Sequence, residues 1–244
     1  MRLDILTLNC QKGYTEGISG FMEEVISEGR YDFILLQESA FMTDPDNKSG
    51  YGILRKDTGD THHELSIMYK NIHAPEEVIF SDFRSFDASD ANEYGVLAAS
   101  FGVDDKKVII STTHLHSGLR KKIRAKEMVF VKERIDDLGF GDMVVMGGDF
   151  NSGFPGEWKI RDGIMSPEYM SCGAGTGHTC DSRRSEHNID LGRLNRVLGK
   201  MGISFRFRVD DLYVDSKTAS EREVCCRKLD VEVSDHYPLE LSIT

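Results

Sequence analysis

What the chain lacks narrows it before any motif is read. No apolar run approaches the ~18 residues that a membrane-spanning helix needs, so stable membrane insertion is not expected. The opening Met1-Arg2-Leu3-Asp4 carries neither the apolar stretch nor the cleavage site of a secretory signal, and the expected localisation is cytoplasmic. Cysteine is sparse: Cys10, Cys172, Cys180, Cys225 and Cys226 are an odd number without framework spacing, and the adjacent last two make poor disulfide partners. Reduced thiols are expected. Cys172 and Cys180, with His178 nearby, fall short of the four well-spaced ligands of a structural zinc site. No repeat, low-complexity tract or Pro/Ser-rich linker divides the 244 residues, so one domain spanning 1–244 is expected. There is no Gly-x-Ser-x-Gly segment, which weighs against a doubly wound hydrolase with a serine nucleophile. Positive charge is also scarce. The formal net charge is −11, and basic clusters such as Arg120-Lys121-Lys122 and Arg183-Arg184 are small. Affinity built on neutralising a nucleic-acid backbone normally shows as a basic face. The acidity therefore argues against tight non-specific duplex binding, although cations bound at a site can offset its carboxylates locally.

What is present is an ordinary globular composition with short apolar runs that end in polar groups. Leu3-Asp4-Ile5-Leu6-Thr7-Leu8 reads as a strand ending in Asn9, and Phe33-Ile34-Leu35-Leu36 as one ending in Gln37-Glu38. Val108 to Thr113 leads to His114-Leu115-His116, and Met143 to Met146 delivers Gly148-Asp149-Phe150-Asn151. At the end of the chain, Ser234-Asp235-His236 introduces a strand over Pro238 to Ile243. One polar strand end is a turn, because Asn and Asp start turns readily. A whole set rich in metal-ligand and acid/base chemistry points to a site assembled from strand termini.

Further strands are expected near Tyr51–Arg55, Glu64–Tyr69, Glu77–Phe80, Tyr94–Phe101 and over 203–208 and 211–215. Ile18, Phe21, Met22, Val25 and Ile26 give one stripe of a helix between Thr15 and Glu28. Met128, Val131, Ile135 and Leu138 give a second from Lys121 to about Asp137, and Leu191, Leu194, Leu198 and Met201 a third. Gly153 to Arg184 shows little period and reads as a surface excursion. Strands outnumber helices, which fits packed sheets flanked by helices better than an alternating parallel sheet.

Leu6-Thr7-Leu8-Asn9, Leu36-Gln37-Glu38, Thr113-His114-Leu115, Gly148-Asp149-Phe150-Asn151, Arg208-Val209-Asp210 and Ser234-Asp235-His236 occur in this order along nearly the whole chain. In that ordered set the sequence resembles the endonuclease/exonuclease/phosphatase superfamily of divalent-metal phosphoesterases. The resemblance implies an α/β fold, a four-layer α/β/β/α sandwich of two packed mixed β-sheets with outer helices. It implies Mg²⁺, with Mn²⁺ as a substitute, in a region formed by Glu38, Asn9 and Asp235. Asp149 would orient or deprotonate the attacking water, and Asn151 would donate to the phosphoryl oxygens. His114 and His236 would face the phosphate, with Asp210 fixing His236. Asp190 competes for that last role, but the helical pattern after it makes it a helix N-cap. If the segment is extended, Asp149 and Asn151 project to one side. His116 stays outside the core set, and Glu64 is read as solvated rather than as an orienter of His114.

These implications amount to metal-assisted in-line attack of water on a phosphodiester or phosphomonoester. The substrate is a phosphate ester with nucleic acid among the candidates, as for a nuclease or DNA-end phosphodiesterase. Thr113-His114-Leu115-His116-Ser117 and Gly177-His178-Thr179-Cys180-Asp181 resemble the sphingomyelinase and tyrosyl-DNA phosphodiesterase branches, so a phospholipid, sphingomyelin or inositol-phosphate hydrolase is the alternative. Cys180 stands where an aromatic residue is common, and the usual Arg-x-x-Gln is Arg124-Ala125-Lys126-Glu127. A binding module that had lost its chemistry would show an eroded set, and this set is complete. No protein partner is specified.

Overall fold

A computed structural model describes residues 1–13, 17–46, 49–56, 64–83, 94–118, 120–153, 156–181 and 206–244. Its strands form two six-stranded mixed sheets. The first runs β13 (Val224–Lys228), β14 (Leu239–Ile243), β1 (Leu3–Asn9), β2 (Phe33–Gln37), β4 (Leu65–Lys70) and β3 (Tyr51–Lys56). The second runs β5 (Pro75–Asp82), β6 (Gly95–Val103), β7 (Lys106–His114), β8 (Met143–Asp149), β12 (Asp210–Asp215) and β9 (Tyr169–Ser171). A two-residue pair, β10 (Cys180–Asp181) with β11 (Arg206–Phe207), stands apart from both. Each large sheet has one parallel pair, β1 with β2 and β7 with β8, among antiparallel neighbours.

Strand alternation explains the layering. Side chains two apart share a face, so Leu3 and Ile5 of β1 and Phe33 and Leu35 of β2 point into one core, which Val108 and Ile110 of β7 and Met143 and Val145 of β8 enter from the other sheet. The intervening residues are apolar too. Leu6, Leu8, Ile34 and Leu36 pack outward against Ile18, Met22 and Val25 of α1 (Ile18–Glu28). Across the molecule, Ile109, Val144 and Met146 face Met128, Val131 and Ile135 of α2 (Lys121–Asp136) and Met165 of α3 (Glu157–Met165). Sheets covered on both faces need such unbroken apolar runs. The four-layer sandwich expected from the sequence is the fold. Among the described residues, no helix is long and apolar enough to cross a membrane.

Several expectations need correcting. The stretch from Gly153 is not a structureless excursion, because it contains α3, β9 and β10. The buried positions of α3 are Glu157, Arg161 and Met165, and a helix whose inward face is mostly charged leaves no apolar period to read. Strand β13 and the short helix α4 (Ser216–Glu221) were not anticipated. Glu64 is buried, paired with Arg55 and within 3.3 Å of Ser66 Oγ, rather than solvated. The third helix, Asp190 and the 203–205 end of an expected strand lie outside the described residues.

Candidate active site

Strand register brings the polar strand ends together. The parallel pairs start their loops at the same end of the molecule, with Asn9 beside Gln37 in one sheet and His114 beside Asp149 in the other. Strand β12 runs antiparallel to β8 and begins with Asp210 directly opposite Asp149, so His114, Asp149 and Asp210 form a single rung over three strands. Strand β14 is antiparallel to β1, with Leu239 opposite Thr7, which places the preceding Asp235 and His236 beside the exit of β1. Ser234 fixes that approach: its hydroxyl donates to the Asn9 carbonyl at 2.8 Å and accepts from the His236 amide at 3.2 Å. Gly148 makes the close fit of β8 on β7 possible. At its φ of 152° an added Cβ would lie 2.1 Å from the Thr113 carbonyl oxygen.

Asp149 is the centre of the assembly. Its Oδ2 accepts from Asn9 Nδ2 at 3.0 Å and lies 3.5 Å from His114 Nε2 and 3.9 Å from His236 Nε2. Its Oδ1 accepts the Asn151 backbone amide at 2.8 Å. Asn151 does not continue an extended strand: its φ is 48°, and the chain turns around the Asp149 carboxylate. The two side chains are still brought together, with the Asn151 amide donating to the Leu115 carbonyl at 2.7 Å. Asn9 also donates to Glu38 Oε1 at 3.2 Å, and Glu38 adopts a left-handed φ of 54° just past β2. His236 turns Nδ1 to Asp210, at 2.8 and 3.0 Å from its two carboxylate oxygens. All eight expected residues therefore meet at one end of the two sheets.

The electrostatics follow from crowding charge in a dry place. Burial pushes the Asp210 carboxyl up to about 6 against the opposing pull of His236. Burial also works against a charged His236, but Asp210, Cys180 and Asp235 together outweigh it and hold the imidazole well above its ordinary pKa. The imidazole is thus kept protonated and oriented, with Nε2 on the side of Asp149 and Asp235.

The donor set suits a hard cation. Asp149, Asp210 and Asp235, all buried, and the partly exposed Glu38 gather four carboxylates around two imidazoles, an excess of negative charge that a divalent ion would offset. Among the described residues the tightest potential ligand groups are Asp149, Asp210 and His236, and Cys180, Asp235 and His236. Glu38 is outside both and is tied to Asp149 through Asn9.

Residues to which the sequence analysis gave no role in the site stand directly behind these. The His116 Nδ1 and the Glu127 carboxylate of α2 are hydrogen-bonded in the interior, and Glu127 also accepts the His116 backbone amide at 3.1 Å. Arg124 holds the His116 and Gly118 carbonyls at 2.9 and 2.7 Å and pairs with Glu157 of α3 at 2.8 Å. The Tyr94 ring covers both His114 and His116, with centroids 5.0 and 4.2 Å away. Thr179 accepts the backbone amides of Val209 and Asp210 at 3.0 and 2.9 Å. A readable signal existed for one part: Arg124 and Glu127 fall on the same helical stripe as Met128, Val131 and Ile135, where charge is expected only if paired inside.

The sequence matches no protein-family model and no curated protein sequence. Solved structures are similar over the whole chain. The D. rerio TDP2 complexed with single strand DNA product aligns with a TM-score of 0.74 at 16% identity, covering 100% of this chain and 99% of that one. The human Nocturnin catalytic domain with bound sulfate anion aligns at 0.72 and 13% identity, covering 100% and 93%. An endonuclease/exonuclease/phosphatase family protein from Bacteroides thetaiotaomicron aligns at 0.68 and 12%, covering 100% and 95%. The chain has the fold of the endonuclease/exonuclease/phosphatase superfamily.

Proposed function

We propose that the chain is a divalent-metal-dependent phosphoesterase and that residues 1–244 act as one catalytic unit. The observation that carries this reading is Asp149, a buried carboxylate flanked by two imidazole Nε2 atoms at 3.5 and 3.9 Å, one of them backed by Asp210. That geometry suits a group that accepts a proton from water while neighbouring donors take up charge developing on a phosphoryl group. In this mechanism Asp149 Oδ2 orients and deprotonates the water. His114 and His236 donate to non-bridging oxygens, and Asp210 keeps His236 charged and aimed. The Asn151 amide, already set by Leu115, directs its second hydrogen to the same oxygens. Glu38, Asn9 and Asp235 would hold Mg²⁺, or Mn²⁺ in its place, which supplies positive charge to the phosphate and its leaving oxygen.

For the substrate we favour nucleic acid, supported by the resemblance to a fold whose D. rerio example was crystallised with a single strand DNA product. The net charge of −11 favours a strand end or a single strand over broad duplex contact. The test is Mg²⁺-dependent turnover over single- and double-stranded DNA, RNA, phosphotyrosyl-DNA ends, inositol phosphates, sphingomyelin and a chromogenic diester, with Asp149→Ala alongside. Turnover of a DNA or RNA substrate that disappears in the variant is expected. Turnover confined to sphingomyelin or inositol phosphates would replace the substrate proposal, and turnover unaffected by the variant would overturn the mechanism.

A further inference from the structure

Cys180 takes no part in the proposed hydrolysis, yet it borders the residues that do. It lies directly opposite His236 in an antiparallel bridge. Backbone hydrogen bonds close the bridge on both sides, Asp181 amide to Asp235 carbonyl at 3.0 Å and Tyr237 amide to Thr179 carbonyl at 2.7 Å. Directly opposed residues present their side chains on one face, which sets the Cys180 thiol beside the His236 imidazole. The Asp235 carboxylate completes a set of three ligand atoms, one sulfur, one nitrogen and one oxygen, within 4.8 Å of one another.

We propose that Cys180, Asp235 and His236 form a site for a thiophilic divalent cation of the zinc class, distinct in chemistry from the hard-cation region at Glu38 and Asn9. Three features carry this. First, the donors are those zinc takes, thiolate, imidazole and carboxylate, with a fourth position left for water. Tetrahedral bonds of about 2.0–2.3 Å separate the ligand atoms by roughly 3.3–3.8 Å, so the set observed within 4.8 Å closes by at most about 1.5 Å. Second, His236 is already built as a zinc-ligating histidine is built. Its Nδ1 is 2.8 Å from the Asp210 carboxylate, which fixes the ring and leaves Nε2, 3.8 Å from Asp235 Oδ1, as the nitrogen for metal. Third, the placement is enforced by backbone pairing rather than by chance contact of mobile side chains. The other residues near Cys180 in sequence are not involved: His178 packs edge-on against Tyr237, and Cys172 sits beside Asp211 and Cys226.

Binding forms a sulfur–metal bond and releases the thiol proton to solvent, together with the proton on the coordinating nitrogen; no electron transfer is involved. The site shares Asp235 and His236 with the hydrolytic centre. Occupancy by zinc and the hydrolytic arrangement therefore exclude one another, a regulatory consequence that rests on the phosphoesterase reading, whereas the metal site itself does not.

The experiment is spectroscopic. Protein stripped by chelation and dialysis is titrated with Co²⁺, and the near-ultraviolet thiolate-to-cobalt absorption is compared in wild type and Cys180→Ser. The expected result is saturation at one equivalent in wild type and loss of the band in the variant. X-ray absorption on zinc-loaded wild type needs no variant. It should show one sulfur at about 2.3 Å with lighter ligands at about 2.0–2.2 Å. Absence of the band in wild type, an equal band in the variant, or a zinc shell holding no sulfur or several would each overturn the site. For the regulatory consequence, Zn²⁺ should inhibit Mg²⁺-dependent turnover, and Cys180→Ser should raise the zinc needed by at least about tenfold. Inhibition unchanged in the variant would overturn that consequence, while a protein inactive on every substrate would sink the phosphoesterase reading and leave the cobalt result standing.

Discussion

At Asp149 the two carboxylate oxygens are engaged differently. One oxygen is occupied by the Asn151 amide, and the other is shared among Asn9, His114 and His236. Asp149→Ala should lower kcat by about two to four orders of magnitude, the usual worth of a positioned general base. Preserved turnover in a preparation free of other phosphatases would remove Asp149 from the chemistry. Glu127 acts one step further back, by clamping the turn that carries Leu115 and, through it, Asn151. Glu127→Gln keeps an acceptor for the His116 amide and should retain most of kcat. Glu127→Ala leaves a buried imidazole and amide unanswered, which costs on the order of 1–3 kcal/mol. It should lower kcat more than it raises KM, and equal kcat in the two variants would show that the clamp does not reach the site.

Among the elements, β12 shows how neighbouring residues serve unrelated ends. Asp210 turns to His236, while Asp211 turns the other way into a buried cluster with Arg161 and Arg208, Ser171 Oγ at 2.9 Å and the Gly173 amide at 2.9 Å. Burial opposes the charge on Arg161, yet Asp211, Tyr213 and Asp162 around it together more than compensate and raise its pKa. Replacing Arg161 by Met should destabilise by about 1–3 kcal/mol, because Asp211 loses one of its two guanidinium partners and keeps Arg208, Ser171 and Gly173. Urea denaturation would measure this, and a shift under about 1 kcal/mol, the range of exposed pairs, would contradict it. The same cluster shows why α3 escaped notice in the sequence. Arg161 and Glu157 occupy its inward face, so the 3.6-residue apolar rhythm that revealed α1 and α2 never appears. Strand β13 was silent for a related reason: as an edge strand with half-exposed residues on alternate positions it has no fully buried face. The central strands were legible because they are apolar on both faces, and their polar ends stand out against that background. The supporting roles of Thr179 and Tyr94 were not, because they depend on contacts between segments distant in the chain.

For the whole molecule, the excess of carboxylates at the site and the net charge of −11 act in the same direction. Both disfavour the folded state without a cation at hand. A ligand bound only by the folded chain at a hundredfold excess over its Kd adds about 2.7 kcal/mol. For a chain of this length that corresponds to a rise in Tm of roughly 5–11 °C. Thermal melts in Mg²⁺ and in a chelator should differ by that order, and superimposable curves would argue against a cation at this cluster.

Gln37, fully buried, donates to Thr7 Oγ1 at 3.2 Å in its own sheet and to Thr112 Oγ1 at 2.8 Å in the other, one residue before the site opens. It works as a spacer that sets the gap between two separately hydrogen-bonded slabs. Asn9, Glu38 and Asp235 stand on one slab, and His114, Asp149 and Asp210 on the other, so any slip between the slabs puts the two halves of the site out of alignment while every strand pairing survives. Mild denaturant, or Gln37→Leu, should therefore extinguish turnover before circular dichroism registers any loss of sheet. The site is gauged like the jaws of a caliper, by one amide held across the midplane.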